Sequence, residues 1–278
     1  MKYIKKHIKL IILLLVILSV ILIYKYNNHN NINYTAIGDN LTIGKNSFGI
    51  VDYSYADYVN EYLKERKKLN KYIKSFSHSN LTIDKLYDYI LMNKKITLNN
   101  KEYNIRQTLR ETNILTIQVG LNDLKYQISM LEINSPSNLE RIILEIDNSF
   151  SNLISEIRKY YQNDIYVIGY YEKGDNTYLN TGINMLNKIY AKNKNIIYIP
   201  IDEVMKEEKY YSNELSYYPN RYGYEAISNE IINKMAKKLE KDNNSWYTNN
   251  AFNYYDKSCH GGRRDYNEEG YSSRNDGL

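Results

Sequence analysis

The chain has 278 residues, with 37 Lys and Arg against 32 Asp and Glu, and a formal net charge of +5. Five of the cations lie in the first 25 residues, which contain no acid, so the remainder carries 32 cations and 32 anions. This balance excludes a globally basic protein that coats nucleic acid, because such binding needs clustered, uncompensated Lys and Arg. The single cysteine, Cys259, excludes an intrachain disulfide scaffold and a zinc site built on several cysteines.

The N-terminal segment predicts a membrane anchor. Residues 1–9 are basic, residues 10–26 contain an apolar run of fifteen residues, and residues 27–33 form a polar tether. A helix of that length spans roughly 22 Å against a ~30 Å hydrocarbon core, but flanking lysines can reach the headgroups. No small-x-small site follows, which favours an uncleaved anchor over the alternative, a cleaved signal peptide. The positive-inside rule then predicts that the rest of the chain is extracytoplasmic.

Between the termini, apolar strands alternate with amphipathic helices. Strands are predicted at residues 34–38, 114–120, 164–171 and 195–201. Helices are predicted at residues 52–71, 82–92 with Thr82 as N-cap, 101–111, 137–161 from a Ser137-x-x-Glu140 capping box, 182–192 and 222–240. Strands that are apolar on both faces indicate a parallel sheet covered by helices, a three-layer αβα domain over residues 34–241. Residues 242–278 have no hydrophobic period and are expected to be a disordered tail.

Three short segments stand where such a fold places functional groups. GDNLTIG (residues 38–44) follows the first predicted strand, and GLND (residues 120–123) follows the strand at 114–120. The carboxyl ends of parallel strands are where ligands bind in open α/β sheets. A third segment, YPNRYGY (residues 218–224), opens the last predicted helix. These segments are the candidate site.

In these segments the sequence resembles the SGNH/GDSL hydrolases, esterases and acylhydrolases with a flavodoxin-like αβα fold. YTAIGDNLTIG resembles their first block, ETNILTIQVGLNDL the third, and YPNRYGYEAISNEI the fifth, while FGIVDYSYADYVNEYL and IYVIGYYEKG resemble stretches between them. The resemblance covers nearly all of residues 34–235. It implies that fold, ester hydrolysis by a Ser–His–Asp triad, and neither a cofactor nor a metal.

The three triad positions of this family hold other residues here. Asn40 stands at the nucleophile position, Tyr218 at the base position and Leu215 at the position of the acid that orients the base. A carboxamide is no acyl acceptor, and a phenol with a pKa near 10 is a poor base at neutral pH, whereas imidazole titrates near 6.5. Glu214, next to Leu215, would not restore a base. The resemblance therefore predicts a defunct triad.

The binding half of the family site is retained. Asn122 matches the oxyanion-hole asparagine, which would act with the backbone N–H of Asn40, while a purely structural turn-capping role for Asn122 stays open. Gly120 is, with Asn40 and Asn122, a candidate for the oxyanion hole or for ligand binding. The supporting motif positions are intact: Gly38, Asp39, Asp123 and Gly223. Candidate replacements for the lost groups are His78, the only histidine within the predicted domain, and the hydroxyls nearest to Asn40, Thr42 and Ser47.

Three functional hypotheses remain from the sequence. The first is a membrane-anchored, inactive SGNH-like protein that binds or scaffolds an acylated or esterified envelope component (a small molecule, lipid or glycan), and not nucleic acid. The second is an active esterase with an unrecognised catalytic arrangement. The third is a decayed protein without a ligand, suggested by the patternless tail. Ser-to-Asn and His-to-Tyr can each be a single base change in the direction that an AT-rich genome drifts, which fits decay and the retention of a binding pocket equally. The fold itself does not specify the ligand.

Overall fold

The computed structural model describes residues 12–21, 32–66, 68–130, 135–213 and 216–242. The chain divides into two compact units, residues 1–232 and 233–278. Of the second unit, the described residues 233–242 are helical. The predicted basic segment, most of the predicted tether and the predicted tail from residue 243 lie outside the described residues.

Residues 12–21 are helical (α1), and their apolar side chains are exposed. Within the described ranges, no helix combines the length and the apolar character needed to cross a bilayer. The other residues of the predicted span, 10, 11 and 22–26, lie outside those ranges. The membrane anchor therefore stays a prediction.

Five strands form a parallel sheet with the predicted flavodoxin-like connectivity. The described residues contain seven strands in all: β1 Ile32–Gly38, β2 Leu69–Ile73, β3 Lys95–Leu98, β4 Lys101–Asn104, β5 Ile114–Gln118, β6 Ile165–Ile168 and β7 Ile197–Ile199. The sheet order is β2-β1-β5-β6-β7, while β3 and β4 form a separate antiparallel hairpin. Side chains of β5 and β6 are buried on both faces, which explains why their sequences are apolar without alternation.

Helices cover both faces of this sheet. They are α2 Asn40–Ile43, α3 Tyr55–Glu65, α4 Ile83–Leu91, α5 Ile105–Glu111, α6 Leu121–Met130, α7 Pro136–Arg158, α8 Thr177–Lys192 and α9 Arg221–Asp242. α3 packs on β1 and β2, whereas α4, α6, α7 and α8 pack on one another. Right-handed crossovers place these two groups on opposite faces, because the chain leaves β1 and β5 in opposite directions. The predicted three-layer α/β architecture is confirmed.

The helix at 82–92 has the predicted start, but the capping box at Ser137 is wrong. Thr82 Oγ1 accepts a hydrogen bond from the Lys85 backbone N–H at 3.3 Å, as an N-cap does. In α7, however, the N-cap is Ser135, with Pro136 in the first turn. Proline suits this position because it has no N–H to leave unpaired. The capping signal therefore lies two residues before the predicted one.

Two predicted helices are interrupted by strands. Residues 69–73, which overlap the end of the predicted helix 52–71, form the edge strand β2, whose polar residues hide the strand pattern. Residues 101–104, inside the predicted helix 101–111, form β4. The β3–β4 turn is made by Asn99 and Asn100, both with positive φ (50° and 60°), which is the geometry of a tight hairpin turn. The Asn-Asn pair was the available signal for this hairpin.

Candidate functional site

The predicted site lies where the strand order of the sheet reverses. β1 and β5 are neighbours, and from them the chain proceeds towards opposite edges of the sheet. In doubly wound sheets this arrangement opens a crevice outside the carboxyl ends of the strands, where ligands bind. Residues 38–44 follow β1 and residues 120–123 follow β5, so both sequence motifs border this crevice.

Gly38 and Asp39 form the turn after β1. A Cβ atom on Gly38 would lie 2.1 Å from Thr42 Oγ1 and 2.6 Å from the carbonyl oxygen of Gln118, so the turn has no room for a side chain. The Asp39 carboxylate accepts a hydrogen bond from the Leu41 backbone N–H at 3.2 Å and caps α2. Both residues therefore shape the turn that presents Asn40.

Asp39 is fixed a second time by the loop after β6. The Tyr170 hydroxyl donates a hydrogen bond to Asp39 Oδ2 at 2.8 Å. Burial raises the pKa of Asp39 to about 6, although the hydrogen bonds from Tyr170 and Leu41 and the charge of Lys125 oppose this rise. At neutral pH the carboxylate is still mostly ionised, so it contributes negative charge beneath the crevice.

Asn40 and Tyr218, at the nucleophile and base positions of the resemblance, are hydrogen-bonded to each other. Asn40 Nδ2 donates to the phenolic oxygen of Tyr218 across 2.9 Å. Asn40 is buried and Tyr218 is half-buried. Burial, and after it the charge of Asp39, raises the pKa of Tyr218, so the phenol is protonated at neutral pH and is no general base. The structure brings the two positions together with side chains that do not suit acyl transfer.

The segment that carries Tyr218 is held by local hydrogen bonds. Ser216 Oγ donates to the Tyr218 carbonyl oxygen at 2.8 Å, and Asn220 Oδ1 accepts from the Gly223 backbone N–H at 3.0 Å at the start of α9. A Cβ atom on Gly223 would lie 2.7 Å from Pro219 Cβ. Gly223 therefore lets the helix start close against the turn.

Gly120 begins the turn after β5 in a conformation that excludes other residues. Its φ is +121°, and a Cβ atom there would lie 2.3 Å from the Tyr190 hydroxyl oxygen. That hydroxyl donates to the Val119 carbonyl oxygen and so fills the space above the strand end. Gly120 is required for the turn, whatever the site binds.

Asn122 and Asp123 both contact the segment that leads into α4. Asn122 Nδ2 donates to the Leu81 carbonyl oxygen at 3.0 Å, which leaves its second N–H for another acceptor. Both Asp123 carboxylate oxygens accept from the Ile83 backbone N–H, at 3.1 and 3.2 Å, and burial raises the pKa of Asp123 to about 7. No hydrogen bond between described residues joins Asn122 to Asn40 or Tyr218. The bond to Leu81 supports the structural role that the sequence left open, beside the oxyanion-hole role.

Two of the candidate substitute groups are engaged elsewhere. Thr42 is fully buried, and its Oγ1 shares a 2.7 Å hydrogen bond with the Tyr55 hydroxyl. The His78 ring has a partner at each nitrogen, the Ser79 carbonyl oxygen at 2.7 Å from Nδ1 and the Tyr89 hydroxyl at 2.8 Å from Nε2. Neither side chain is hydrogen-bonded to Asn40 or Tyr218, so neither completes a nucleophile–base pair with them.

The remaining candidate positions from the sequence are Ser47, Leu215 and Glu214. Ser47 Oγ is buried without a hydrogen-bond partner in the described part of the chain. Leu215 and the neighbouring Glu214 lie outside the described residues, so the orienting position stays a prediction. Within the described ranges, no group of three or more His, Cys, Asp and Glu side chains is placed to hold a metal ion.

Four side chains around Tyr218 were not singled out from the sequence. Tyr217 stacks on Tyr171 with ring centroids 5.3 Å apart, and the Tyr171 hydroxyl donates to the Tyr217 carbonyl oxygen. Lys125 Nζ lies 4.2 Å from the Tyr217 ring centroid, and Lys45 Nζ lies 5.4 Å from the Tyr218 ring centroid. The sequence did contain a signal for Lys125. It stands three residues after Asn122 in α6, and residues at that spacing lie on the same face of a helix. Lys45 follows directly after the first motif, residues 38–44, but that motif does not indicate where the Lys45 side chain points.

Comparisons with known proteins identify the fold. No family model and no curated protein matches the sequence. Among solved structures, a lipase from a goat rumen metagenome is similar with a TM-score of 0.56 and 19% identity, over 73% of this chain and 96% of the lipase. A catalytic mutant of an acetylxylan esterase from Geobacillus stearothermophilus is similar with a TM-score of 0.53 and 15% identity, over 73% of this chain and 93% of the esterase. The chain has the SGNH/GDSL-hydrolase fold that its motifs predicted.

Proposed function

We propose that this chain is a membrane-anchored, extracytoplasmic protein that uses an SGNH/GDSL-hydrolase fold to bind a ligand and does not hydrolyse esters. The observation that carries the proposal is the hydrogen bond between Asn40 and Tyr218. In a serine esterase the corresponding bond would run from a hydroxyl to a base that removes its proton. Here the donor is an uncharged amide and the acceptor is a protonated phenol, so no nucleophile is generated.

The hydrogen bonds that Thr42 and His78 form with other residues support the proposed absence of ester hydrolysis. Thr42 and His78 are each committed to other hydrogen bonds, and neither contacts the Asn40–Tyr218 pair through one. A substitute triad would need a hydroxyl and a base within hydrogen-bond reach of each other and of the substrate. No hydrogen bond between described residues joins Thr42 or His78 to Asn40 or Tyr218 as such a pair would require.

The retained turns support a binding role. Gly38 and Gly120 keep the close backbone approach at both strand ends, and Asn122 keeps one amide N–H beyond its bond to Leu81. A site with these features can still hold a carbonyl or an anionic oxygen after the catalytic groups are lost. The similar solved proteins are described as a lipase and an acetylxylan esterase, so an acylated or esterified envelope component is the ligand class we propose.

Location at the membrane rests on the N-terminal sequence. The helix at residues 12–21 exposes apolar side chains along its length, and lysines flank the apolar run on both sides. Four of the five N-terminal lysines precede the run, which favours an N-in orientation with the folded unit outside. A tether of a few residues would then keep the crevice close to the envelope components that it binds.

The test is ester hydrolysis by the full chain and by a variant with the triad restored. The variant combines Asn40→Ser, Leu215→Asp and Tyr218→His, because triad members act as a unit and single reversions should do little. A matched control carries Asn40→Ala with the other two changes, and therefore lacks only the nucleophile. We expect hydrolysis of short-chain aryl esters by the restored variant alone. Hydrolysis by the unmodified chain above a heat-denatured sample would overturn the proposal.

A further inference from the structure

Two lysines lie beside the tyrosines of the crevice without an acidic partner. Lys125 Nζ stands over the Tyr217 ring and Lys45 Nζ stands over the Tyr218 ring. The two rings are adjacent, edge to face, with centroids 5.5 Å apart. Among ion pairs between described residues, none includes Lys45 or Lys125. Two ammonium groups therefore border the same pair of rings.

The positive charge of Lys125 is only partly balanced by nearby negative charge. Burial lowers the pKa of Lys125, the charge of Lys45 lowers it further, and only the Asp39 carboxylate opposes the change. That carboxylate already accepts hydrogen bonds from the Tyr170 hydroxyl and the Leu41 backbone N–H. A partly buried cation without a close counter-charge is costly, and a bound anion would offset that cost.

The hydrogen-bonding groups beside these lysines are also incompletely paired. Asn40 is 9% exposed, and its Oδ1 has no partner while its Nδ2 is bonded to Tyr218. The Tyr217 hydroxyl is likewise buried without a partner in the described part of the chain. Tyr218 accepts the bond from Asn40, so its own O–H proton is available to a ligand. Buried polar atoms are normally paired, so these groups indicate a bound polar molecule.

We propose that this crevice binds a phosphate group, free or as a phosphomonoester, between Lys45 and Lys125. The inference rests on the proposed binding function and specifies its ligand. The lysines supply two positive charges for a dianion, and the hydroxyls of Tyr217 and Tyr218 are hydrogen-bond donors to its oxygens. Asn40 Oδ1 accepts from a hydroxyl on the phosphorus or on the adjoining part of the ligand. A carboxylate, with one charge and two oxygens, would use fewer of these groups.

The test uses the full chain in detergent, with inorganic phosphate and glycerol 1-phosphate as probes at low salt. Calorimetry measures the dissociation constant, and thermal unfolding gives the ligand-induced rise in Tm. We expect 10 mM of either probe to raise Tm by about 3 °C and sodium acetate or sodium chloride of equal ionic strength to raise it less. Stabilisation by chloride equal to that by phosphate would overturn the proposal.

Substitutions of the lysines and of Tyr218 test whether phosphate binds at this place. Lys125→Gln and Lys45→Gln should each weaken phosphate binding about tenfold, and Tyr218→Phe, which keeps the ring, should weaken it less. The matched control is Lys188→Gln, at an exposed position on α8. Using both lysine variants keeps the test decisive if one of them fails to fold. Unchanged phosphate binding in the lysine variants would overturn this proposal but leave the ester assay, and so the loss of hydrolysis, unaffected.

Discussion

The amide of Asn40 donates a hydrogen bond to the phenol of Tyr218, which lies 178 residues further along the chain. The two residues belong to separate motifs, one after β1 and one before α9, and the fold brings them to the same crevice. By the resemblance to the SGNH/GDSL hydrolases, each stands at a position where those enzymes have a group needed for acyl transfer. Their contact shows that the two side chains form a polar pair in this fold.

This pair should contribute measurably to stability. Tyr218→Phe removes the phenolic oxygen and should lower the free energy of unfolding by about 1 kcal/mol, the usual net value of a hydrogen bond. In a double-mutant cycle with Asn40→Ala, urea unfolding should give a coupling energy of about 1 kcal/mol. The control cycle pairs Asn40→Ala with Tyr126→Phe, since Tyr126 is 61% exposed. Equal coupling in both cycles would show that the Asn40–Tyr218 bond is not formed in solution.

The sequence was sufficient for four of the five strands of the sheet and for the two motif turns. Strands β1, β5, β6 and β7 are apolar runs that stand out from the sequence, and glycines at or just after the ends of β1, β5 and β6 mark the turns there. Edge strand β2 was missed because its residues are mostly polar, and its pairing with β1 is a tertiary contact that local sequence does not encode.

The surroundings of the site were less predictable than its motifs. Asn40 and Tyr218 were placed by resemblance, but their mutual hydrogen bond depends on the whole fold. Lys45 and Lys125 come from different elements, and their position beside Tyr218 and Tyr217 depends on the packing of the loop after β1, of α6 and of the segment between β7 and α9. No spacing in the sequence relates the two lysines to the two tyrosines.

Asp123 should make the protein less stable as pH rises from about 4 to about 7. Burial raises the pKa of Asp123 to about 7 in the folded state, while an unfolded aspartate titrates near 3.9. Within that window the unfolded chain has released the proton and the folded chain retains it, so rising pH favours unfolding, by up to about 4 kcal/mol. Urea unfolding of the native chain and of Asp123→Asn at several pH values measures the difference.

The Asp123→Asn variant isolates this group because every other titrating residue is common to both proteins. The free energy of unfolding of the native chain should fall relative to that of the variant between pH 4 and pH 7. Below about pH 3 the difference should be constant, since the carboxyl is then protonated in both states. Parallel curves across the whole range would mean that Asp123 ionises normally.

Gly120→Ala should destabilise the protein strongly. The residue has φ of +121°, and the new methyl group would meet the Tyr190 hydroxyl at 2.3 Å. Backbone strain and overpacking together predict a loss of about 3–4 kcal/mol, measured by urea unfolding. Gly174→Ala is the control, because Gly174 also has positive φ (+79°) but has no atom within 4 Å of the added Cβ. It should lose only about 1–2 kcal/mol; equal losses would refute the close packing at Gly120.

The single cysteine tests the proposed topology. If the N-terminus is cytoplasmic and the rest of the chain is outside, a membrane-impermeant maleimide should label Cys259. The labelling is done on cells whose wall has been removed and whose cytoplasmic membrane is intact. In a Tyr3→Cys, Cys259→Ser variant, the new cysteine should react only after permeabilisation. Labelling of Cys259 only after permeabilisation would contradict the extracytoplasmic location.

The most direct test of the central claim is the rate of aryl acetate hydrolysis by the purified, unmodified full chain, followed against protein concentration. Because Asn40 and Tyr218 supply neither a nucleophile nor a base, we expect a rate equal to that of the heat-denatured protein at every concentration. A rate that rises in proportion to folded protein and is abolished by a serine-directed fluorophosphonate would contradict the account.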